Sequence, residues 1–370
     1  MTISCANPSA QFLSQQLEIE SAILRVVRSN RYILGEEVIA LEKEFASYIG
    51  VADAVGVANG TDALEIALRA LDISNQEEVI TVSHTAVATV AAIEAAGAIP
   101  VLVDVDPITY TIDPKQLQEA LTDKTRAVIV VHLYGQSADL DQLINFCEKN
   151  QLKLIEDVSQ AHGASWRGKR LGSFGEVSCF SCYPTKNLGA IGDAGLITTD
   201  NPQLAKKIRM LREYGWKDRY ISQIVGRNSR LDEIQAAILR VKLPDLDSNN
   251  NKRKEIAALY FAGLESLPVI LPEQRTESSS VFHLFVIRSK YRDELKEFLL
   301  SRDIESGIHY PIPIHHQAAY ENRIRTNQCM NVTETIANEV LSLPIYPELS
   351  FDQVSQVIDA VVDFFSRVQS

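Results

Sequence analysis

Lys186 stands in the stretch from Val177 to Gly195, VSCFSCYPTKNLGAIGDAG, on the tight turn Pro184-Thr185-Lys186-Asn187. An apolar run precedes the turn and glycines follow it, so the amine is delivered at a strand end with little bulk around it. Such an amine can form a Schiff base with a carbonyl compound. A second group of interest is Asn59-Gly60-Thr61-Asp62-Ala63-Leu64, between an apolar run and a helical one. Free backbone N–H groups, the positive end of a helix dipole and a hydroxyl meet there, which suits a phosphate. A plain helix cap, with Thr61 satisfying the first turn, fits the same residues. The third group is Glu156-Asp157-Val158-Ser159-Gln160-Ala161-His162-Gly163, directly after LKLI. At least one of its carboxylates projects into the cleft at the strand ends, where it could hold a proton on a heteroaromatic nitrogen while Gln160 donates to a nearby oxygen. A solvated loop with a capping Asp is the plainer alternative. A Schiff-base amine, a partner for a ring nitrogen and a phosphate anchor, in this order, are what pyridoxal 5'-phosphate requires. Neither G-x-G-x-x-G nor G-x-x-x-x-G-K-[ST] occurs, so a dinucleotide or a P-loop nucleotide has no support.

The elements that must hold these groups show in the hydrophobic pattern. Ile19, Ile23, Val26 and Val27, then Val38, Leu41, Phe45 and Tyr48, repeat at helical spacing on either side of Gly35. Short apolar runs then alternate with helical stretches: AVGVA at 54, EVITV at 78, PVLVDV at 100, AVIVV at 127 and LKLIE at 152, with helices expected from Thr61, from Thr85, near 114 and near 139. That alternation predicts an α/β fold with a mostly parallel central sheet and helices on both faces. A strand over 194–199 and helices from about Pro202 and Leu231 complete a large unit at 1–243. The register breaks at Pro244-Asp245-Leu246. A charged helical stretch, the apolar run VFHLFVIR at 281, a helix at 290–302 and a last helix from Phe351 form a smaller α+β unit at 244–370.

Composition narrows the function classes. The 370 residues are 46% hydrophobic and 23% charged, ordinary for a soluble globular chain. A net charge of -12 repels a polyanion such as DNA on average, while a local cluster of Lys and Arg can still receive a small anion. The N-terminal stretch has neither a basic start nor an apolar core, and no run is long enough to span a bilayer, so a cytoplasmic protein is expected. Five scattered cysteines suit reduced thiols. Cys179 and Cys182 form a C-x-x-C on a strand, which turns them to opposite faces, and with no second pair they read as core. His309, His315 and His316 lie in a loop fixed by Pro311 and Pro313, without a helical His-x-x-x-His spacing, so no metal is expected.

The segments NGTDALEIAL, EDVSQAHGA, FSCYPTKNLGAIGDAG and GRNSRLDEIQAAILRVKL resemble those of the DegT/DnrJ/EryC1/StrS sugar aminotransferases, and the likeness runs from about Pro8 to the last helix. The resemblance implies the aspartate aminotransferase type I fold, a homodimer with composite active sites, and transfer of an amino group from L-glutamate to a keto group on a nucleotide-linked sugar. Carried across by residue, it implies that Lys186 binds the cofactor covalently, Asp157 pairs with the pyridine nitrogen and Gln160 contacts the phenolic oxygen. Gly60, Thr61 and Ser181 would hold the phosphate, joined by Asn228 of the partner subunit. Many members stack an aromatic residue on the cofactor ring two positions after the match to His84. This sequence has Ala86 there, which leaves His84 as the stacking residue or, more plainly, as a polar helix cap. A lysine at 186 also separates the chain from dehydratases of the same fold, which carry histidine.

The segment 308–316 is similar to the loop that the family folds over its substrate, most like members acting on dTDP-linked 3-keto-6-deoxyhexoses. With YPTKNLGAIGD and VHLYGQ it points to amination at the 3-position; a 4-keto sugar or a non-transaminating reaction is the alternative. Tyr183, His309, Tyr310 and His315 are expected at the substrate, and Lys217, Arg219 and Arg230, beside Arg227, either meet its diphosphate or are ordinary surface charges. Such amino sugars are used in O-antigen, S-layer glycan or antibiotics.

Overall fold

The computed structural model describes residues 2–273, 275–326 and 329–368. The large unit contains strands β1 (Asp53–Val57), β2 (Glu78–Val82), β3 (Ile99–Val103), β4 (Thr125–Val131), β5 (Lys153–Asp157), β6 (Val177–Ser181) and β7 (Gly195–Thr199). Together with Arg325–Thr326 they make an eight-stranded sheet among the described residues, ordered β1-β7-β6-β5-β4-β2-β3 with the short strand at the β3 edge. Pairing is parallel except around β7, which runs against both β1 and β6.

Both faces of the sheet are buried, and β4 shows why its sequence reads as one apolar run. Its successive side chains enter different cores. Val128 and Val130 pack with Leu41 and Phe45 of helix α2 (Glu36–Ile49, after α1 at Gln16–Ser29) and with residues of a helix at Leu140–Lys149. Ala127 and Ile129 pack on the opposite face with α3 (Gly60–Ala70), α4 (Ala88–Ala95) and Ile208 from Pro202–Leu211. Each fully buried aliphatic side chain here contributes about 1.5–3 kcal/mol of hydrophobic free energy. Phe180 and Cys179 divide between the same two cores, and Cys179 and Cys182 are both fully buried. The thiols are therefore packing groups, with burial raising both above the usual thiol range.

The second core is formed by Leu246–Leu264, an antiparallel pair of Phe285–Arg288 with Val340–Leu343, and helices Arg292–Ser301 and Phe351–Val368. Of the run VFHLFVIR only its second half is a strand. The first half docks on the large unit instead: Val281 N–H donates to Gly135 O at 2.9 Å and Leu284 N–H to Tyr134 O at 3.3 Å. The boundary expected at 243/244 is crossed in both directions. Ile3 belongs to the second core and bridges to Ile304, while Arg325–Thr326 extends the large sheet. Near 114 there is only a short turn of helix, Pro114–Gln116, followed by Leu117–Ala120.

Candidate active site

The strand ends of β5 and β6 and the start of α3 meet around one cavity. β5 ends in two carboxylates, and the alternation of a strand sends them apart. Glu156 is fully buried and accepts from five donors: His132 Nε2, Ser178 Oγ and the backbone N–H groups of Gly172, Phe174 and Gly175. Burial opposes its charge, but the His132 hydrogen bond and the other donors prevail and hold its carboxyl below the usual range. It is a structural anchor. Asp157 faces the cavity, with Oδ2 accepting from Thr89 Oγ1 of α4 at 3.2 Å and Oδ1 from Ser159 N–H at 3.1 Å. An ionised carboxylate has about four lone-pair sites, so two donors leave capacity for a third partner in the cavity.

Lys186 follows β6 on a turn closed by its own N–H donating to Tyr183 O at 2.8 Å. Gly189 lets the chain double back, since a Cβ there would lie 2.4 Å from Pro184 O. The next residue, Asn187, is buried and fixes the turn from the other side, donating through Nδ2 to Asn250 Oδ1 at 2.7 Å and to Val281 O. The amine of Lys186 is pushed down from 10.5 to about 8 by burial, against the opposing pull of Asp157. At pH 7 about one such amine in ten is neutral and nucleophilic, against about one in three thousand for an ordinary lysine. This is how a buried lysine becomes a carbonyl-binding group.

The start of α3 supplies the anion site. Asn59, not Thr61, is the cap: its side-chain oxygen accepts Asp62 N–H at 2.8 Å. Thr61 is thereby released to the cavity wall, and the first N–H groups of the helix have no partner within it. Gly60 is required by close approach, because a Cβ would lie 2.6 Å from Ser181 Cβ. That contact puts the Ser181 hydroxyl beside the helix start.

Gln160 has a fixed amide orientation. Its Oε1 accepts Tyr134 N–H at 2.9 Å and its Nε2 donates to Tyr310 Oη at 2.9 Å, leaving an N–H for the cavity it lines. Tyr134, with a positive φ of 59°, donates its hydroxyl to His309 O and lies 2.7 Å from His84 Nε2. A single hydroxyl proton serves His309, so His84 Nε2–H must be the donor to Tyr134. His84 is thus consumed by the wall behind the site and does not line the cavity; Ala86 and Thr85 do.

The cavity measures about 550 Å³ and is lined by Gly60, Thr61, Asp157, Gln160, Ser181, Tyr183 and Lys186 among others. Its wall also contains Asn59, Ser159 and Asp193. Tyr310 reaches its edge through Gln160, and burial pushes its hydroxyl up to about 12. His309 is part-buried, tied through Nδ1 to Ser342 Oγ at 2.9 Å, and lowered to about 4 by burial and by Lys186. His315 turns away: Nδ1 lies 2.7 Å from Ser83 Oγ and Nε2 3.3 Å from Glu334. Lys217, Arg219, Asn228 and Arg230 do not line the cavity of their own chain. They lie on or beside the exposed hairpin of Trp216–Asp218 and Ile221–Ser222, and Arg227 is taken by Asp62 and Glu65 of α3. Thr89, Tyr134 and Asp193 have no motif in the sequence; Thr89 and Tyr134 meet site residues through contacts distant along the chain, and Asp193 lines the cavity.

Residues 14–362 match the DegT/DnrJ/EryC1/StrS aminotransferase family. The chain belongs to that family. It is 45% identical over 360 residues to the dTDP-3-amino-3,4,6-trideoxy-alpha-D-glucose transaminase of Streptomyces venezuelae, covering 97% of this chain and 95% of the relative. It is 47% identical over 346 residues to the dTDP-3-amino-3,6-dideoxy-alpha-D-galactopyranose transaminase of Aneurinibacillus thermoaerophilus, covering 94% and 95%. The crystal structure of S. venezuelae DesV in complex with a ketimine intermediate superposes with a TM-score of 0.97 at 43% identity over 99% of both chains. The family member described here is a PLP-dependent aminotransferase of the expected α/β architecture. Its cofactor is pyridoxal 5'-phosphate, and the residues present fit it: a desolvated amine, a carboxylate with spare acceptor capacity, and a helix start at which glycine alone can approach Ser181. Among the described residues no helix is long and apolar enough to cross a membrane.

Proposed function

We propose that this chain moves the amino group of L-glutamate to the keto group of a dTDP-linked 3-keto-6-deoxyhexose, giving the 3-amino-3,6-dideoxyhexose. Pyridoxal phosphate, when bound, stores the amino group between the two substrates and withdraws electrons from the reacting carbon. The residues of the chain do the rest. Lys186 Nζ would hold the cofactor and, when free of it, would move the proton at the reacting carbon. Asp157 keeps the ring nitrogen protonated, and its orientation is set by Thr89 and Ser159. Gly60, Thr61 and Ser181 receive the phosphate at the start of α3, where the helix dipole favours an anion. Gln160 donates to the phenolic oxygen.

The observation that carries the reaction type is that the buried amine of Lys186, lowered toward neutrality, and the carboxylate of Asp157 line one cavity. Support for the 3-position comes from the two relatives above, each named for a dTDP-linked 3-amino sugar. We further assign a homodimer, cytoplasmic in location, in which the hairpin at 216–222 reaches the partner's cavity. Asn228 would there complete the phosphate site, with Lys217, Arg219 and Arg230 facing the sugar nucleotide's diphosphate. Supporting this, Tyr220 and Ile221 on that hairpin and Val225 just after it are 72%, 63% and 84% exposed, more apolar surface than a solvated loop normally carries. The deciding experiment incubates the pyridoxamine-loaded enzyme with a panel of dTDP-, UDP- and GDP-ketosugars and locates the new C–N bond by NMR. A product aminated at C4, or no product with a dTDP sugar, would overturn the assignment.

A further inference from the structure

Three side chains outside the cavity converge in a way the reaction does not use. His315 and His316, on the turn Ile314–His316, face Glu334 on the helix Asn331–Glu339, and one ligand atom from each lies within 4.8 Å of the others. Both imidazole Nε2 atoms are 3.3 Å from the same carboxylate oxygen, Glu334 Oε1. In a tetrahedral zinc site with Zn–N and Zn–O bonds of about 2.05 Å, neighbouring ligand atoms stand about 3.3 Å apart, the separation that both imidazoles keep from Glu334 Oε1.

We propose that His315, His316 and Glu334 bind one divalent transition-metal ion, zinc or a borderline ion of like preference, through two imidazole nitrogens and a carboxylate. The fourth position is left to water, which can enter because the His316 and Glu334 side chains are 49% and 43% exposed. The outer contacts are those a ligating histidine needs. Ser83 Oγ lies 2.7 Å from His315 Nδ1 and would accept its proton, leaving the Nε2 lone pair for the metal. The same Ser83 Oγ accepts His315 N–H at 3.2 Å, and Ser83 O accepts Ile314 N–H at 3.3 Å. The two ring centroids lie 4.1 Å apart with their planes tilted by 43°.

The ion would fasten the 308–316 loop to the helix Asn331–Glu339 and, through Ser83, to the segment whose Thr85 and Ala86 line the cofactor cavity. None of the three ligands lines that cavity, so the role is structural. The absence of helical histidine spacing hid the site, because its third ligand comes from a different element.

The test uses the full-length enzyme with its cofactor bound, freed of unbound cofactor and of metals by chelation, then titrated with zinc chloride by calorimetry. Cobalt(II) in parallel reports coordination geometry through its visible absorption. One ion per chain is expected, with a melting temperature raised by roughly 5 °C at saturation. His316→Ala and Glu334→Gln should bind at least tenfold more weakly, Ser83→Ala about tenfold more weakly, and Cys329→Ser should bind as the parent does. Retention of the cofactor's absorption band shows that each variant is folded. Failure of the parent to take up zinc, or undiminished uptake in both ligand variants, would overturn the proposal.

Discussion

Replacing Lys186 with methionine should stabilise the cofactor-free protein while abolishing its reaction. Methionine matches the length of the lysine stem and removes the charge that the site must otherwise desolvate. Burial lowers the amine from 10.5 to about 8, and that difference corresponds to about 3 kcal/mol of folding free energy. The sign follows from proton counts. Between pH 8 and 10.5 the unfolded chain binds the proton and the folded chain releases it, so stability rises with pH across that window. Below pH 8 the folded state carries the whole penalty, and above 10.5 it carries none. Denaturant unfolding of cofactor-free parent and Lys186→Met at pH 7 should therefore differ by about 3 kcal/mol in favour of the variant. The gap should narrow as pH rises through 8 to 10.5. A variant less stable than the parent at pH 7, or a difference independent of pH, would refute the claim that the site stores a desolvated amine. After both proteins are reconstituted with pyridoxal 5'-phosphate, glutamate should yield 2-oxoglutarate with the parent and none with the variant.

Gly60→Ala introduces a Cβ 2.6 Å from Ser181 Cβ and 3.0 Å from its Cα; overpacking of this kind costs about 1–3 kcal/mol, to be read as weaker cofactor binding in an absorbance titration together with a lower melting temperature. Thr89→Val removes the donor to Asp157 Oδ2, and since a hydrogen bond to a charged group is worth about 1.5–3 kcal/mol, cofactor affinity should fall about tenfold or more; unchanged affinity would rule out Thr89 as a positioning residue. Glu156→Gln leaves buried N–H and O–H donors with a weaker acceptor and should destabilise the fold by about 3 kcal/mol. Because the Glu156 carboxyl is held low in the folded state, its contribution is present above its ordinary value of 4.5 and fades as pH falls through its folded value, so acid unfolding of parent and variant should converge.

What could be read from the sequence was local. Lys186, Asp157 and the Gly60-Thr61 pair each lie where a strand gives way to a turn, and hydrophobic period locates such points. Strand alternation sends the two adjacent carboxylates apart and the resemblance puts Asp157 at the ring nitrogen, but the anchoring role of Glu156 depends on the loop at 172–175 that wraps it. Partners distant in sequence were invisible: Thr89 meets Asp157 across 68 positions, and Tyr134 spans 175 positions to His309. The contact of His84 Nε2 with Tyr134 Oη, 50 positions away, was equally invisible. The cap at α3 is Asn59 because it stands directly before the first helical residue, Gly60, where its side-chain oxygen meets Asp62 N–H, while Thr61 already lies inside the helix.

The two-way crossing between the units changes what can be exchanged among relatives. Since Ile3 sits in the second core and Arg325–Thr326 forms an edge of the first sheet, a graft of residues 244–370 alone would carry away one strand of its host's sheet and leave a host isoleucine facing a foreign core. A chimera built to transplant substrate preference must move the first residues with the C-terminal segment and keep the native pairing of 325–326 with β3. Proteolytic fragments cut near 244 should, for the same reason, remain associated until denaturant separates them.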